Sequence, residues 1–307
     1  MHEKSPPRAI LITGPTASGK SALALRVAER LGGVLVNADS MQVYRDLRVL
    51  TARPTEEDER RVPHLLFGHI DGAENYSVGR WLKDFGATLD ALDRPAILTG
   101  GTGMYFKATL QGLSDIPSVP DDVRAAVRAR AEGKTPQELH AELREVDPET
   151  ASRLRNTDPQ RILRALEIYE ATGATLASFQ GSRAAPLLDA AHTPAFFLAP
   201  ERPALFARID TRFDRMIETG ALNEVRALAA RRLDPALPVM RAHGVPHLLA
   251  YLDGRLSFEE AIARGKAYTR HYAKRQFPFA RHQLPTFEWL AGENAERELF
   301  ARLETAT

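Results

Sequence analysis

The stretch RAILITGPTASGKSALALRVAERL, from Arg8 to Leu31, decides the fold. Its first part, Arg8 to Gly14, is a short apolar run ending in glycine, the pattern of a buried strand, whereas from Gly19 onward Leu23, Val27 and Leu31 recur on one helical face. Between the two, Gly14-Pro15-Thr16-Ala17-Ser18-Gly19-Lys20-Ser21 fills all eight positions of the phosphate-binding loop, in the strand, loop, helix context that the loop requires. The glycines let backbone N–H groups curl around a phosphate. The helix N-terminus adds positive potential, Lys20 adds a full charge, and the Ser21 hydroxyl suits Mg²⁺. A motif label would make this loop nucleotide-binding, or ATP-binding; what it recognises physically is a diphosphate, whatever that diphosphate is attached to.

Outward from the loop, Gly33 to Ser40 (GVLVNADS) reads as a second strand, Tyr76 to Leu92 as a helix and Arg94 to Gly101 (RPAILTGG) as another buried strand. Strands alternating with helices imply a parallel sheet, whose ligands bind beyond the carboxyl ends of its strands. Asp39-Ser40 and Gly100-Gly101-Thr102 are therefore expected to face the same crevice as Gly14 to Ser21. From about Ser114 to Ala191 the character changes. Pro117 and Pro120 break the chain, and helical patterns rich in Arg and Glu follow. The strand signal returns at Thr193 to Ala199, followed by one long helix from about Pro203 to Arg232 and a basic helix from Ser257 to about Gln276. Gly181 to Pro186 reads as a hinge. The expected architecture is α/β: a P-loop-containing parallel sheet flanked by helices, the catalytic core being residues 1–113 and 192–307, with a helical insertion domain at 114–191.

Among 307 residues, 41 Lys+Arg face 40 Asp+Glu and 44% are hydrophobic, a balance that excludes disordered and collagen-like chains. The absence of cysteine excludes disulfides, thiolate zinc sites, iron–sulfur clusters and cysteine nucleophiles. The nine histidines show no metal-ligand spacing. The polar start, Met1 to Arg8, and the short apolar run Ala9 to Thr13 do not make a signal peptide, and no segment reaches the roughly 18 apolar residues of a membrane span, so a cytoplasmic protein is expected. Charge is unevenly placed: no acid lies between Glu260 and Glu288, where Arg264, Lys266, Arg270, Lys274, Arg275 and Arg281 occur. Lys266, Arg270 and Lys274 share one helix face, with Tyr268, Tyr272, Phe277 and Phe279 interleaved. This is either a nucleic-acid face or a core-facing aromatic stripe beneath solvated charges.

The loop suggests an ATPase or a kinase of a small metabolite, but nucleotide-hydrolysing P-loop proteins usually hold Mg²⁺ with an acid at the end of a later buried strand. Here that strand, Ala96 to Thr102, has no carboxylate. The strand-end acid is Asp39, which is a general base, a metal ligand or a turn residue. In a metabolite kinase it would deprotonate a hydroxyl. A nucleotide-dependent RNA-binding switch is a third reading. The missing acid argues against both of these alternatives, and the insertion together with the basic helix argues against a small acceptor.

Gly14 to Ser21, Asp39-Ser40-Met41-Gln42-Val43-Tyr44, Thr51-Ala52-Arg53-Pro54, Gly100-Gly101-Thr102-Gly103-Met104-Tyr105, Asp158-Pro159-Gln160-Arg161 and Ala273-Lys274-Arg275-Gln276 occur in the order and approximate spacing of tRNA dimethylallyltransferases. The resemblance extends over nearly the whole chain. It implies Mg²⁺-dependent transfer of a dimethylallyl group from dimethylallyl diphosphate to N6 of adenosine 37 in the anticodon stem-loop of tRNA, with diphosphate leaving. It also implies a monomer with no membrane partner. On that resemblance Asp39 is the candidate base, Thr102 lies near both substrates and Arg212 looks like the arginine on the diphosphate; a solvated helix arginine is the alternative for Arg212. Ser21 is the metal ligand. The tRNA contacts carried over are Asp39, Ser40, Met41, Gln42, Thr102, Arg124, Gln160, Arg161, Ile162, Leu163 and Arg164. Residues 158–164 taken alone read as a capped helix start with an outer charged face. Two departures stand out: Gly244-Val245-Pro246-His247, where proline is expected to interrupt a helix, and Phe277-Pro278-Phe279 where a Trp is usual.

Overall fold

The computed structural model describes residues 7–179, 181, 183–292 and 294–306. The polar start through Pro6 and Ser182 of the expected hinge lie outside these. In chain order the elements are β1 (Ala9–Thr13), α1 (Lys20–Leu31), β2 (Val34–Asn37), α2 (Glu56–Arg61), β3 (His64–Leu65), α3 (Val78–Ala91), β4 (Ala96–Gly100) and α4 (Gly103–Gln111). Then come four helices, α5 (Asp121–Ala131), α6 (Pro136–Val146), α7 (Pro148–Arg153) and α8 (Pro159–Thr172). The chain ends with β5 (Ala195–Leu198), α9 (Arg202–Glu218), α10 (Ala221–Ala230), α11 (Val245–Leu252), α12 (Phe258–Gln283), β6 (Glu288–Leu290) and α13 (Ala295–Ala306).

Two units result: residues 1–110 with 187–307, and residues 111–186. Residues 187–191, expected in the insertion, fall in the first unit because the Leu187 and Leu188 N–H groups donate to Thr109 O and Leu188 is buried in that unit's core. No helix among the described residues is long and apolar enough to cross a membrane.

The first unit is built on a parallel sheet of order β3-β2-β4-β1-β5-β6. Every residue of β1 and β4 is buried, as an unbroken apolar run predicts for a central parallel strand. Ile10, Ile12, Leu35 and Ile97 point to the face covered by α1, whereas Leu11, Val36 and Leu98 point to the opposite face, where Trp81 and Phe85 of α3 pack. Because β2, β4 and β1 are neighbours, the loops after their carboxyl ends meet at one edge of the sheet.

The expected long helix over Pro203–Arg232 is two helices. The chain turns at Gly220, whose φ of +112° is left-handed, and α10 starts there. Pro246 does not interrupt a helix either; it occupies the first turn of α11, where a missing N–H costs nothing. Pro278 lies inside α12, which runs past Gln276 to Gln283.

The second unit packs α5, α6, α7 and α8 around Val127, Leu139, Leu143, Ala151, Ile162 and Ala165. Its helix starts are fixed by side-chain caps: Thr135 and Glu138 form a reciprocal pair at α6, Asp147 accepts from Thr150 N (3.0 Å) at α7, and Asp158 accepts from Arg161 N (3.2 Å) at α8. Where the chain enters and leaves this unit, Ala184 N donates to Leu113 O and Ser114 pairs with Arg183.

Candidate active site

The phosphate loop connects β1 to α1 with Gly19 in the left-handed region (φ +92°), which starts the helix without a side-chain cap. The Ser18 hydroxyl is buried without a protein partner inside the loop. Lys20 Nζ donates to Pro15 O (3.3 Å). Burial pushes the Lys20 ammonium down to about 8, against the attraction of Asp39 and assisted by repulsion from Arg212. Arg212, from α9, donates to Thr16 Oγ1, and Arg208 Nε donates to Ala17 O (3.1 Å). Arg212 is therefore folded onto the loop and not a solvated helix arginine. It has no ion-pair partner among the described residues; burial lowers its pKa, and Asp39 opposes the shift.

Asp39 sits just past β2 in a turn built for it. Its Oδ1 accepts from Met41 N (2.9 Å) and its Oδ2 from Gly101 N (3.3 Å). Asn37, fully buried, holds the turn by accepting from Asp39 N (2.8 Å) and donating to Asp39 O and Leu66 O (3.0 Å each). Thr102 Oγ1 accepts from Ser40 N (2.9 Å) and bonds Ser40 Oγ (3.1 Å), tying the β4 loop to the β2 loop. A side chain at Gly101 would meet Gln276 Nε2 at 2.8 Å, Asp39 Oδ2 at 3.2 Å and Lys20 Nζ at 3.9 Å. The carboxylate, the ammonium and the amide thus converge on one glycine, where a Cβ would displace the Gln276 amide.

Gln276 is the bridge that sequence reasoning missed. Its Oε1 accepts from Thr16 N (3.0 Å) and its Nε2 donates to Gly101 O (2.7 Å), so one half-turn of α12 fixes both the phosphate loop and the β4 loop. The signal was present: Gly265, Thr269, Ala273, Gln276 and Ala280 form the buried stripe of α12, and a glutamine in such a stripe needs partners. Next to it Tyr272 OH donates to Gly101 O (3.3 Å), and burial raises its pKa. The His243 ring lies tilted against Tyr272, centroids 4.2 Å apart; burial takes it down to about 4 against the pull of Asp39, so it is neutral at pH 7. Above Thr102 and Gln276 lies a cavity of about 270 Å³ walled mostly by apolar groups of Phe197, Phe279, Ala280 and Leu284. Phe279 closes against Gly103, and Phe277 of the expected departure packs on Phe197 and Trp289.

Other expected residues are placed differently. Gln42 donates its amide to Thr51 O and Ala52 O, within its own loop, and Glu224 accepts the N–H groups of Arg48, Val49 and Leu50 to hold that loop. Met41 is half-buried. The basic face of α12 already has partners within its own unit: Lys266 pairs with Asp214 (2.6 Å), Arg270 pairs with Asp210, and the exposed Lys274 lies over Phe206 (5.4 Å). Phe206, Asp210 and Asp214 recur every four residues on α9, so the three cations stitch α12 to α9.

In the second unit, Gln160 and Arg161 are exposed at the start of α8, Leu163 and Arg164 are half-buried, and Ile162 is fully buried in the unit's core. Any contact Ile162 makes outside its unit is through its main chain. Arg124 pairs with Asp121 (2.6 Å), and Arg124, Arg128 and Arg164 surround the buried Glu167 at 3.9, 3.1 and 3.9 Å.

The described residues hold no cluster of three acids or histidines fit for a metal. Mg²⁺ shared between the Ser21 hydroxyl, water and ligand phosphate oxygens does fit, because that ion takes oxygen ligands and keeps several waters.

Comparison with known proteins agrees with this geometry. The IPP transferase family matches residues 42–283, and the isopentenyl transferase family matches residues 7–65. The chain is 62% identical to a tRNA dimethylallyltransferase of Methylocella silvestris over 94% of this chain and 96% of that one. It is 60% identical to that of Beijerinckia indica over 96% and 99%. Among solved structures, the tRNA isopentenylpyrophosphate transferase of Bacillus halodurans is 30% identical with a TM-score of 0.68, covering 97% of each chain. A eukaryotic dimethylallyltransferase acting on tRNA is 27% identical with a TM-score of 0.75, covering 94% of this chain and 74% of that one. With the phosphate loop, the Asp39 turn and the α12 glutamine gathered at one sheet edge, and with relatives matching along its length, the chain belongs to the IPP transferase family of tRNA dimethylallyltransferases.

Proposed function

We propose that this chain transfers the dimethylallyl group of dimethylallyl diphosphate to N6 of adenosine 37 in tRNA, releasing diphosphate. The observation that carries the reading is the junction at Gly101, where a phosphate loop with two half-buried cations and a carboxylate meet at a glycine that also lines an apolar cavity. A kinase needs no apolar cavity beside its phosphate loop; a five-carbon allylic donor does.

The adenine amino group is a weak nucleophile because its lone pair is delocalised into the ring. Asp39 accepts the amino proton as the new C–N bond forms; its two oxygens are already oriented by the Met41 and Gly101 N–H groups. As the allylic C–O bond breaks, the electron pair goes to the diphosphate. Lys20, Arg212, the Ser18 hydroxyl and the loop N–H groups bind that growing charge from positions fixed before the reaction. Ser21 would hold Mg²⁺, which when bound would further neutralise the diphosphate. The cavity walls exclude water from the allylic carbon, and neutral His243 and Tyr272 add no competing charge.

On the tRNA side, Ser40, Met41 and Thr102 adjoin the carboxylate and meet the target base, which must leave its stack to reach them. In the second unit the exposed Gln160 reads a base edge, while Arg124, Arg161 and Arg164 meet phosphates. Incubating the protein with tRNA, Mg²⁺ and dimethylallyl diphosphate, then digesting the tRNA and analysing its nucleosides, tests this reading. N6-dimethylallyl adenosine mapped to position 37 is expected. Its absence with folded protein would refute it.

A further inference from the structure

On the α1 face of the sheet a second cavity of about 270 Å³ is lined by Ser21, Leu25, Arg53, Asp58, His64 and Thr99, among others. It is separate from the apolar cavity and its chemistry is different, because two of its lining residues carry buried polar atoms without a protein partner, Thr99 Oγ1 and Arg53 Nε. Thr99 is 4% exposed and sits on β4, paired in register with Ile12 of β1 and Asn37 of β2. Ile97, two residues earlier, faces α1, so strand alternation turns Thr99 to the same face, under the first turn of α1 where Ser21 lies.

A buried threonine hydroxyl with no partner is costly, by about 1–3 kcal/mol, and valine would fill the same space without that cost. A roomy cavity beside it, lined in part by the polar groups of Ser21, Arg53, Asp58 and His64, is a setting in which such a group finds its partner in water. Thr99 also stands near the end of the strand where nucleotide-hydrolysing P-loop proteins carry the acid that holds hydrated Mg²⁺. Resting on the diphosphate reading of the loop above, we propose that Thr99 is a positioning residue for the metal: its hydroxyl accepts a hydrogen bond from a water of the Mg²⁺ held by Ser21. A neutral acceptor there orients the hydrated ion without adding the full negative charge that a carboxylate would place beside the diphosphate.

The test is inorganic pyrophosphate binding to the full chain by calorimetry across a Mg²⁺ series, for wild type, Thr99→Val and Thr99→Ser, with a thermal midpoint for each metal-free protein. Thr99→Val is expected to raise the Mg²⁺ concentration for half-maximal binding roughly 10-fold, the low end for groups that orient a metal's ligands. Its pyrophosphate affinity without metal should be unchanged and its midpoint equal or higher. Thr99→Ser is expected to restore the wild-type Mg²⁺ requirement. A valine variant with an unaltered Mg²⁺ requirement, or a serine variant that does not restore it, overturns the inference. Wild type that binds no pyrophosphate at any Mg²⁺ concentration overturns the diphosphate reading itself, which separates the two failures.

Discussion

Replacing Lys20 with methionine is expected to make the ligand-free protein more stable while removing most of its affinity for diphosphate. The folded chain holds the Lys20 proton only up to about pH 8, against 10.5 for an unconstrained lysine, and burial is the main cause. That difference corresponds to about 3 kcal/mol against the charged form. Methionine keeps the length and the apolar stem but carries no charge. Loss of the hydrogen bond to Pro15 O takes back about 1 kcal/mol, leaving a gain of about 2 kcal/mol, or about 3 °C in midpoint for a chain of this length. The sign has a pH signature. Between about pH 8 and 10.5 the unfolded chain binds a proton that the folded chain has released, so wild-type stability rises with pH across that window, and below pH 8 this group contributes no slope. The Lys20→Met variant lacks that rise. Pyrophosphate titrations run the other way: the wild type must take up a proton to bind above pH 8, so its affinity falls there relative to the variant, which shares the ligand's own titration. At pH 7 the variant binds pyrophosphate about 10–100-fold more weakly, the range for a hydrogen bond to a charged group. Thermal unfolding in metal-free buffer at several pH values and calorimetric titration measure all of this. A variant that melts lower than wild type at pH 7, or binds pyrophosphate as well, would refute the argument that this ammonium is held at a cost for the sake of its ligand.

Asp39→Asn is expected to keep the fold and bind both substrates but to lose about 10²–10⁴-fold in single-turnover transfer, since the amide cannot take the amino proton; transfer at the wild-type rate would remove Asp39 from that role. ATP should neither support the reaction nor be consumed, and stoichiometric release of ADP or phosphate during turnover would contradict this. Neutralising Lys266 and Arg270 together is expected to lower the midpoint through loss of the Asp214 and Asp210 pairs, each worth up to about 1 kcal/mol at such half-exposed sites, without changing the salt dependence of tRNA binding. A salt slope flattened by roughly 0.7–0.9 per residue would show that these cations meet phosphates after all. Gln160→Ala should relax selectivity for the target adenosine with little change in that slope, as measured by modification of tRNAs altered around position 37.

How far the site could be read in advance follows from the range of the interactions that build it. The phosphate loop, the Asp39 turn and the strands carrying them are local: β1, Gly14 to Ser21 and α1 are contiguous, and their pattern needs only periodicity and the sterics of glycine. The resemblance then places Thr102 and Arg212 at the same edge, and both are found there. What sequence alone did not yield depends on which helix packs where. Lys266, Arg270 and Lys274 look like an RNA-binding stripe until α9 presents Asp214, Asp210 and Phe206 at the matching four-residue interval. A charge stripe on one helix has no meaning until the partner stripe is known, and the two are more than fifty residues apart. Gln276 shows the same point from the other side. Its neighbours on the buried face of α12 mark it as inward-facing, yet only the fold reveals that its two amide atoms satisfy Thr16 N and Gly101 O at once. Because that one side chain carries the junction between the phosphate loop and the β4 loop, Gln276→Leu is expected to leave Thr16 N unpaired and Gly101 O with only its longer bond from Tyr272, and to slow transfer without touching either substrate directly. The matching Gln276→Glu variant separates geometry from charge: it keeps the acceptor for Thr16 N but sets a carboxylate against Gly101 O and Asp39. Near-wild-type transfer by both variants would show that the junction is held by the other contacts of Gly101, with Tyr272 and Asp39, and that the glutamine only fills space.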